Sequence, residues 1–439
     1  MVRRSPTLLL ATLACAASPT RAAPHDGLLD GAQWSLLGRN YFLQNDYRTQ
    51  PSPSGQSLRQ EWAQGFIADF RSGFTPGALG LGFDAHAFLG VKLDGGRGHA
   101  GTGLLPRNAD GSAADDYSDA GGALKLDFSR STLKFGEMTV ETPVFDTGDK
   151  RLQPEYASGA LLDSRELAGV HLQAGRFTAF KNQDSASGHG DFDGYGASTR
   201  GSAVSFAGAD FAPPGDFGGA LFAGQLDDAW RQYYLNLHYG HAGLLVDGNL
   251  YKTRDQGQAR AGTIDTTAWS LSARQRFGAQ ALTLGYQQVD GDTPFDFVGG
   301  DSIYLANSIK YADFNGPGEK SWQLRYDLDL GVFGIPGLGF MARYVRGSGI
   351  DGSHASADSA YAGMYGRGGR HWERDSELRY VFQSGPAKDL SLYLSQVSHR
   401  ADAAQGGDDI DRLPPGAACM CRAPSTRPMK EENHEQQIP

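Results

Sequence analysis

Residues 321–330 alternate strictly between apolar and polar side chains, with Trp322, Leu324, Tyr326, Leu328 and Leu330 on one face. The opposite face carries Ser, Gln, Arg and Asp, and therefore charges of both signs. A period of two predicts a β-strand with one apolar and one polar surface. Such a strand fits a soluble sandwich, in which the apolar face is buried. It also fits a membrane barrel, in which the apolar face meets lipid and the polar face lines a lumen.

The same alternation recurs at short intervals in residues 81–92, 233–239, 269–274, 282–287, 377–383 and 390–395. The apolar faces often begin or end with Trp, Tyr or Phe, as the interfacial girdles of membrane barrels do. Short turns such as 331–337 and 384–386 alternate with long polar segments such as 95–117 and 347–370. This asymmetry favours the all-β class and a transmembrane antiparallel β-barrel. No second domain is indicated.

Composition agrees with closed antiparallel sheet. Gly accounts for 60 of the 439 residues, and the mean hydropathy is -0.42. No stretch approaches the roughly 20 apolar residues of a membrane-spanning helix. The net charge of -10 argues against binding to nucleic acid. Between residues 26 and 411 there is no Cys, and no Cys/His cluster has the spacing of a zinc site, so we expect no cofactor and no metal.

The N-terminus has the features of a secretory signal peptide. Arg3 and Arg4 form a positive start, residues 7–17 are apolar, and residues 20–22 offer a cleavage site. We therefore expect residues 1–22 to be removed from an exported protein.

Short motifs through most of the chain, from about residue 26 to 412, resemble one known family. They are Arg39-Asn40-Tyr41, Trp62-Ala63-Gln64-Gly65-Phe66, Leu89-Gly90-Val91-Lys92-Leu93-Asp94, Gly101-Thr102-Gly103-Leu104-Leu105-Pro106, Asp115-Asp116-Tyr117-Ser118, Arg231-Gln232-Tyr233-Tyr234-Leu235-Asn236, Pro294-Phe295-Asp296, Gly300-Asp301-Ser302-Ile303, residues 313–322 and residues 383–390. In their order and number they resemble the OprD family of outer-membrane porins, the substrate-specific channels of pseudomonads.

The resemblance implies an eighteen-stranded barrel in the outer membrane of a Gram-negative bacterium, formed by residues 23–412. It also implies inward-folded constriction loops, of which residues 143–174 resemble one. The implied partners are outer-membrane lipid and lipopolysaccharide, the outer-membrane assembly machinery, and small anionic or zwitterionic solutes. The pore is expected to be a monomer or a loose oligomer.

Arginine residues on the polar faces are the candidate solute-binding groups, because a guanidinium offers paired donors that match a carboxylate. Alternation places Arg274, Arg276, Arg325, Arg343 and Arg379 on those faces. Alternatively, these are ordinary lumen charges that pair with Asp327, Asp329 or Glu377. The resemblance adds Arg59 and Arg48, and implies that the set is a basic ladder.

The same resemblance implies an acidic site opposite the ladder for the ammonium group of an amino acid. Asp301 and Asp313 match its carboxylates, and Tyr311 lies beside them. The alternative is that the two Asp residues cap turns. The ladder is thinner here than in family members that have it in full, because Tyr393, Ser395 and Asp127 stand where basic residues are common.

These features predict a porin for small carboxylate-bearing solutes, with amino acids, basic ones among them, and carbapenems as candidates. Two alternatives stay open. Ser302 lies in a Gly-Asp-Ser sequence and residues 351–354 supply Asp and His, so a barrel-anchored serine hydrolase is conceivable. The other alternative is a barrel that does not select its solutes.

The end of the chain does not continue the alternating pattern. After Leu413 come Pro414 and Pro415, which cannot donate to a ladder, and then a largely polar segment with Cys419 and Cys421. We therefore expect residues 413–439 to be a disordered tail outside the family pattern. The final strand would be missing or replaced, and the barrel would assemble poorly.

Overall fold

The computed structural model describes residues 27–49, 52, 55–192, 194, 202–213, 215–414 and 416–422, with 417–422 described by their backbone. These residues form one antiparallel sheet in which successive strands pair, and residues 410–413 and 416–422 pair back with the first strand. The strands are β1 (Gln33–Tyr47), β2 (Leu58–Arg71), β3 (Leu79–Asp94), β4 (Asp116–Phe128), β5 (Ser131–Met138), β6 (Tyr156–Ser164), β7 (Val170–Lys181), β8 (Val204–Phe211), β9 (Phe217–Leu226), β10 (Trp230–His241), β11 (Leu244–Asp255), β12 (Asp265–Phe277), β13 (Gln280–Asp290), β14 (Lys320–Asp329), β15 (Leu338–Asp351), β16 (Arg367–Val381), β17 (Ser391–Ala401), β18 (Ile410–Leu413) and β19 (Gly416–Arg422). A short 3-10 helix, Leu330–Phe333, joins β14 to β15.

The segments β18 and β19 are two halves of one spanning strand. Leu413 lies opposite Gln44 and Gly416 lies opposite Tyr41, so a single register with β1 runs through both halves. Both halves also pair with β17. Counted in this way, the sheet is a closed barrel of eighteen spanning strands, the number that the family resemblance implied.

This closure corrects the expectation of a missing final strand and two open edges. The ladder is made by backbone N–H and C=O groups, so residues 416–422 can complete it without an alternating side-chain pattern. The remaining residues of the predicted tail, 423–439, lie outside the described residues, as does the predicted signal peptide at 1–22.

The two faces of the wall carry the polarity that alternation predicted. Trp322 and Leu324 of β14 are 46% and 43% exposed on the outside, whereas Ser321 and Gln323 are buried on the inside. The outward face of β10 likewise exposes Leu237. An apolar exterior with a polar interior is the arrangement of a barrel that stands in lipid.

Connections differ in length at the two ends of the barrel. Short turns join β4 to β5, β10 to β11 and β12 to β13, and long loops follow β3, β5, β7 and β13 at the other end. The long loops 95–115, 139–155 and 291–319 fold back and bury Leu104, Phe145, Leu152, Phe295 and Phe314 completely or nearly so. These loops narrow the lumen.

The inward-folded loop is shorter than the predicted range 143–174. It comprises residues 139–155, because Tyr156–Ser164 forms β6. Arg165 and Glu166 lie in the short turn at the opposite end of the barrel, where Glu166 accepts a hydrogen bond from Arg130 N at 2.8 Å. The sequence alone missed this boundary because residues 139–155 and β6 have similar polarity.

Two wall glycines make room for the loop 139–155. A Cβ atom at Gly65 would lie 2.9 Å from Leu152 Cγ, and one at Gly224 would lie 2.7 Å from Val144 Cβ. Side chains at these positions would collide with the loop, so their absence lets the loop pack directly on the backbone of β2 and β9.

Candidate functional site

A row of directly opposed residues crosses the inner wall from β12 to β2. In strand order it contains Arg274, Thr283, Arg325, Arg343, Asp375, Val397, Arg412, Asn45 and Arg59. Opposed residues of an antiparallel pair share one face of the sheet, so all these side chains start from the lumen side. We call its five basic members, Arg274, Arg325, Arg343, Arg412 and Arg59, the arginine row.

The arginine row connects the two ends of the lumen. Arg274 lies near the short-turn end of β12, which ends at Phe277, whereas Arg59 follows the start of β2 at the long-loop end. Strands of membrane barrels are tilted by roughly 35–45° from the axis, so a row perpendicular to them climbs obliquely along the wall. The basic groups therefore lie at successive depths.

Two members of the row are paired with carboxylates. Arg325 donates to both oxygens of Asp327, with Nη2 to Oδ1 at 2.8 Å, and Arg343 Nη2 donates to Asp375 Oδ2 at 2.7 Å. Pairing with Asp327 is one of the alternatives that the sequence left open. Asp375, in contrast, was not foreseen.

The other lumen arginines differ in their contacts. Arg274 has no carboxylate partner among the residues that the structure describes, and Arg379 donates to the Ser391 hydroxyl at 3.1 Å. Glu377, a predicted alternative partner, instead pairs with Lys310 at 2.6 Å. Arg59 donates to Gly101 O at 3.3 Å.

The inward-folded loops bring acids and bases together in the narrowed lumen. Lys150 of loop 139–155 pairs with Asp301 of loop 291–319 at 2.5 Å. The neighbouring Asp149 accepts from Arg39 of β1 at 2.6 Å and donates its N–H to Asp301 Oδ2 at 3.2 Å. Asp301 therefore joins the two loops to each other.

Tyr311 and Asp313 lie on the same loop as Asp301. The guanidinium of Arg412 lies 4.8 Å from the ring centroid of Tyr311, a cation–π arrangement. The Tyr311 hydroxyl donates to Asp408 Oδ2 at 3.3 Å. Asp313 accepts from the Ser308 hydroxyl at 2.7 Å. Tyr311 thus brings loop 291–319 into contact with Arg412 of the arginine row.

Burial among loop and wall atoms raises the pKa of Asp313 above its usual range, against the opposing effects of Lys150 and Ser308. Between the usual and the raised value, the folded loop binds a proton that the unfolded chain does not. Loop stability therefore falls as pH rises through this window. Asp313→Asn imitates the protonated form and should slow amide hydrogen exchange of loop 291–319 above the window.

Below the window the difference between Asp313→Asn and the wild type should vanish, because both then carry a neutral side chain. The measurement is the ratio of the amide exchange rates of loop 291–319 in the two proteins, taken at each pH. Asp292→Asn, at an exposed position of the same loop, is the matched control. A ratio between Asp313→Asn and the wild type that stays the same at every pH would contradict the expectation.

Two predicted ladder residues lie away from the row. Arg48 follows the end of β1 and pairs with Asp411 at 2.6 Å and Asp46 at 3.0 Å. Alternation in β1 and the register with β18 put both acids on the outward face, so Arg48 belongs to the outer rim rather than the lumen. Arg276 is exposed at the short-turn end, below Arg274.

The residues that stand where basic residues of the family ladder are common make other contacts here. Tyr393 lies opposite Arg379, and its ring packs edge-on against Tyr41 with centroids 6.0 Å apart. Asp127 accepts from the Thr132 hydroxyl at 2.8 Å. Ser395 is buried in the wall opposite Glu377.

Sequence reasoning missed Arg39, Lys150 and Arg412 as lumen residues. In β1, consecutive apolar residues at 41–43 obscure the alternation that would have put Arg39 on the inner face. Lys150 lies on a loop, where no alternation of polar and apolar residues indicates to which side a side chain points. Arg412 lies at the boundary of the predicted tail and was assigned to no strand.

Ser302 lacks the surroundings of a nucleophile. Its hydroxyl is fully buried, accepts from Asp146 N at 2.5 Å and donates to Val298 O. His354 is exposed on another loop, 4.0 Å from Asp351. Ser302 therefore anchors the folded loop 291–319 to loop 139–155.

A group of His86, Asp119 and Glu137 on the wall has the ligand types of a metal site. The ammonium of Lys181 already contacts both carboxylates, and His86 Nε2 lies 2.9 Å from Glu137 Oε1. Lys181 thus supplies the positive charge that this group needs. We assign the group to wall stability.

An antiparallel barrel with an apolar exterior, a polar lumen and inward-folded loops defines an outer-membrane channel. The family model described as outer membrane porin, OprD family, matches residues 26–413. The chain belongs to the OprD family of outer-membrane porins, which confirms the resemblance found in the sequence. It is accordingly a channel of the bacterial outer membrane and not an enzyme.

Known relatives cover most of the chain. Porin D of Pseudomonas aeruginosa is 44% identical over 399 residues, which are 87% of this chain and 89% of the relative. The crystal structure of OprD from Pseudomonas aeruginosa has a TM-score of 0.78 and 40% identity, and the match covers 91% of this chain and 96% of that one. OpdK of the same organism, solved with vanillate, gives a TM-score of 0.81 and 36% identity, with 90% and 100% covered.

Proposed function

We propose that the barrel conducts small solutes that carry a carboxylate, amino acids among them, and that the arginine row binds the carboxylate at successive depths. The observation that carries this proposal is the row itself, a single cross-strand line that places five basic residues between one end of the lumen and the other. Several weak sites in sequence let a solute enter and still leave, which conduction requires.

Asp301, Asp313 and Tyr311 support a preference for solutes that also carry an ammonium group. They lie on the loop that faces Arg412, so a zwitterion could direct its carboxylate to the wall and its ammonium to the loop. Lys150 already neutralises part of this acidic charge. Basic amino acids and carbapenems are therefore candidates within a broader class of carboxylates.

We also propose that each pore is formed by a single chain, alone or loosely associated, and that the outer-membrane assembly machinery inserts it. The closed ladder from β1 to β19 supports this proposal, because one chain completes the wall.

Arg274→Gln, in the arginine row, combined with Arg379→Gln, a second lumen arginine near the same short-turn end, tests the proposed function. These cations have no carboxylate partner among the described residues, so their removal should not strand a buried acid. Benzoate and glutamate entry into proteoliposomes should fall roughly tenfold, because both solutes are anions and a basic lining raises the local concentration of its counter-ion by at least that factor. Entry of xylose, an uncharged solute, should not fall.

Arg176→Gln with Arg254→Gln is the matched control, because both residues are exposed on the outward face. It should leave the entry of all three solutes unchanged. Equal loss of benzoate and xylose entry in the lumen variant would indicate a barrel that does not select its solutes.

A further inference from the structure

A group of cationic side chains lies on the outward face of β14 to β17, at the long-loop end. We call it the outer basic patch, and its members are Lys320, Arg346, Arg370, Arg374 and Arg400. Cross-strand register fixes the shared face. Trp322 opposes Arg346, Arg346 opposes Trp372, and Trp372 opposes Arg400.

Two guanidinium groups in this patch have no anionic partner in the part of the chain that the structure describes. Arg346 and Arg374 are exposed on adjacent strands, and neither has a carboxylate partner among the residues that the structure describes. They are diagonal neighbours, because Arg346 opposes Trp372 and Arg374 opposes Tyr344. Arg370 and Arg400, by comparison, pair with Asp402 at 3.4 Å and Asp411 at 2.9 Å.

Aromatic residues stand next to both arginines in the register, because Arg346 lies between Trp322 and Trp372 and Arg374 lies opposite Tyr344. The rings of Trp322 and Tyr344 have centroids 5.4 Å apart, and those of Tyr344 and Trp372 are 6.0 Å apart. Trp and Tyr mark the level of the lipid headgroups in membrane proteins. The patch therefore lies at the headgroup level, where an unpaired Arg can meet a phosphate.

An apolar band continues from the patch toward the short-turn end. Leu324 of β14, Leu378 of β16 and Leu394 of β17 are 43%, 43% and 54% exposed on the same outward face. A ligand that fits both regions has anionic groups at one end and acyl chains at the other. Long loops lie on the extracellular side of outer-membrane barrels, so the leaflet concerned is the outer one.

We propose that the outer basic patch binds the phosphate groups of a phosphorylated glycolipid of the lipid A type, with Arg346 and Arg374 as the principal contacts. Arginine matches phosphate by paired, charge-assisted hydrogen bonds, and clusters of basic residues beside an apolar surface are typical of lipid headgroup sites. The site lies on the outside of the wall and is separate from the solute pathway.

Native mass spectrometry of the purified full-length protein, titrated with bis-phosphorylated lipid A, tests this proposal. Arg346→Gln with Arg374→Gln should weaken the apparent affinity roughly tenfold or more, because two charge-assisted contacts are lost. Arg346→Lys with Arg374→Lys keeps both charges and should recover part of the affinity. Lipid A without phosphates should bind the wild type as weakly as phosphorylated lipid A binds the Gln variant.

Arg176→Gln with Arg254→Gln is again the matched control, since these outward arginines are already paired with Asp227 and Asp265. It should bind lipid A like the wild type. Equal affinity of the wild type for the two lipids would overturn the proposal, and this comparison stands even if the Gln variant does not fold.

Competition and assembly state separate the other possible occupants. Inorganic phosphate that displaces lipid A at equal concentration would assign the patch to free anions and overturn a lipid site. A wild-type dimer that is lost in the Gln variant, with lipid binding unchanged, would make the patch a contact between copies and would also overturn it.

Discussion

A chain that stops after Leu413 is expected not to form a stable barrel. The truncation removes β19, and with it the pairing of residues 416–422 with Ser35–Tyr41 of β1. It also removes the pairing of β19 with Ser391 to Tyr393 of β17. Each backbone group left unpaired in lipid costs several kcal/mol, so the total exceeds the usual stability of a folded domain. The expected result is loss of the folded, faster-migrating form on unheated gels.

A chain that stops after Arg422 is the control for this truncation. It keeps every described pair of β19, so the folded form should persist at normal abundance. Assembly of the shorter chain at the same level would show that β18 alone closes the wall. In that case the ladder formed by β19 would contribute nothing.

Much of this fold could be predicted because lipid and lumen impose a period of two on every strand. Trp322 and Leu324 on one side, and Gln323 and Arg325 on the other, have their faces fixed by polarity alone. The inward orientation of Arg274, Arg325 and Arg343 follows from the same argument. The side-chain pattern, however, does not give the cross-strand register that aligns them in one row.

The features that could not be predicted depend on the backbone or on the loops. Residues 416–422 show no alternation in the sequence, yet they pair through groups that every residue other than proline carries in full. The contacts of Lys150 with Asp301, and of Tyr311 with Arg412, join segments far apart in the chain through folded loops. The alternation of apolar and polar residues along one strand contains no information about such contacts.

Arg343→Gln is expected to destabilise the barrel by about 3–5 kcal/mol, because it removes one partner of a buried ion pair. The side chains of Arg343 and Asp375 are 9% and 0% exposed, and two guanidinium donors reach Asp375 Oδ2 at 2.7 and 2.8 Å. Glu373, two residues away on the same inner face, is also fully buried. The variant would therefore leave the Asp375 carboxylate without its cation, beside a second buried carboxyl group. Urea unfolding in lipid vesicles, followed by tryptophan fluorescence, measures the loss.

Arg343→Gln combined with Asp375→Asn should recover most of this stability, since two neutral amides can hydrogen-bond and the unpaired charge is gone. Arg325→Gln is the matched control from the same row. The Arg325–Asp327 pair is 38% and 21% exposed, and a pair in contact with water contributes at most about 1 kcal/mol. Arg343 does not stabilise the wall if Arg343→Gln lowers the free energy of unfolding no more than Arg325→Gln does. The same conclusion follows if the double variant is no more stable than Arg343→Gln. With the expected outcome, Arg343 acts chiefly in the wall, and solute binding is left to the other members of the arginine row.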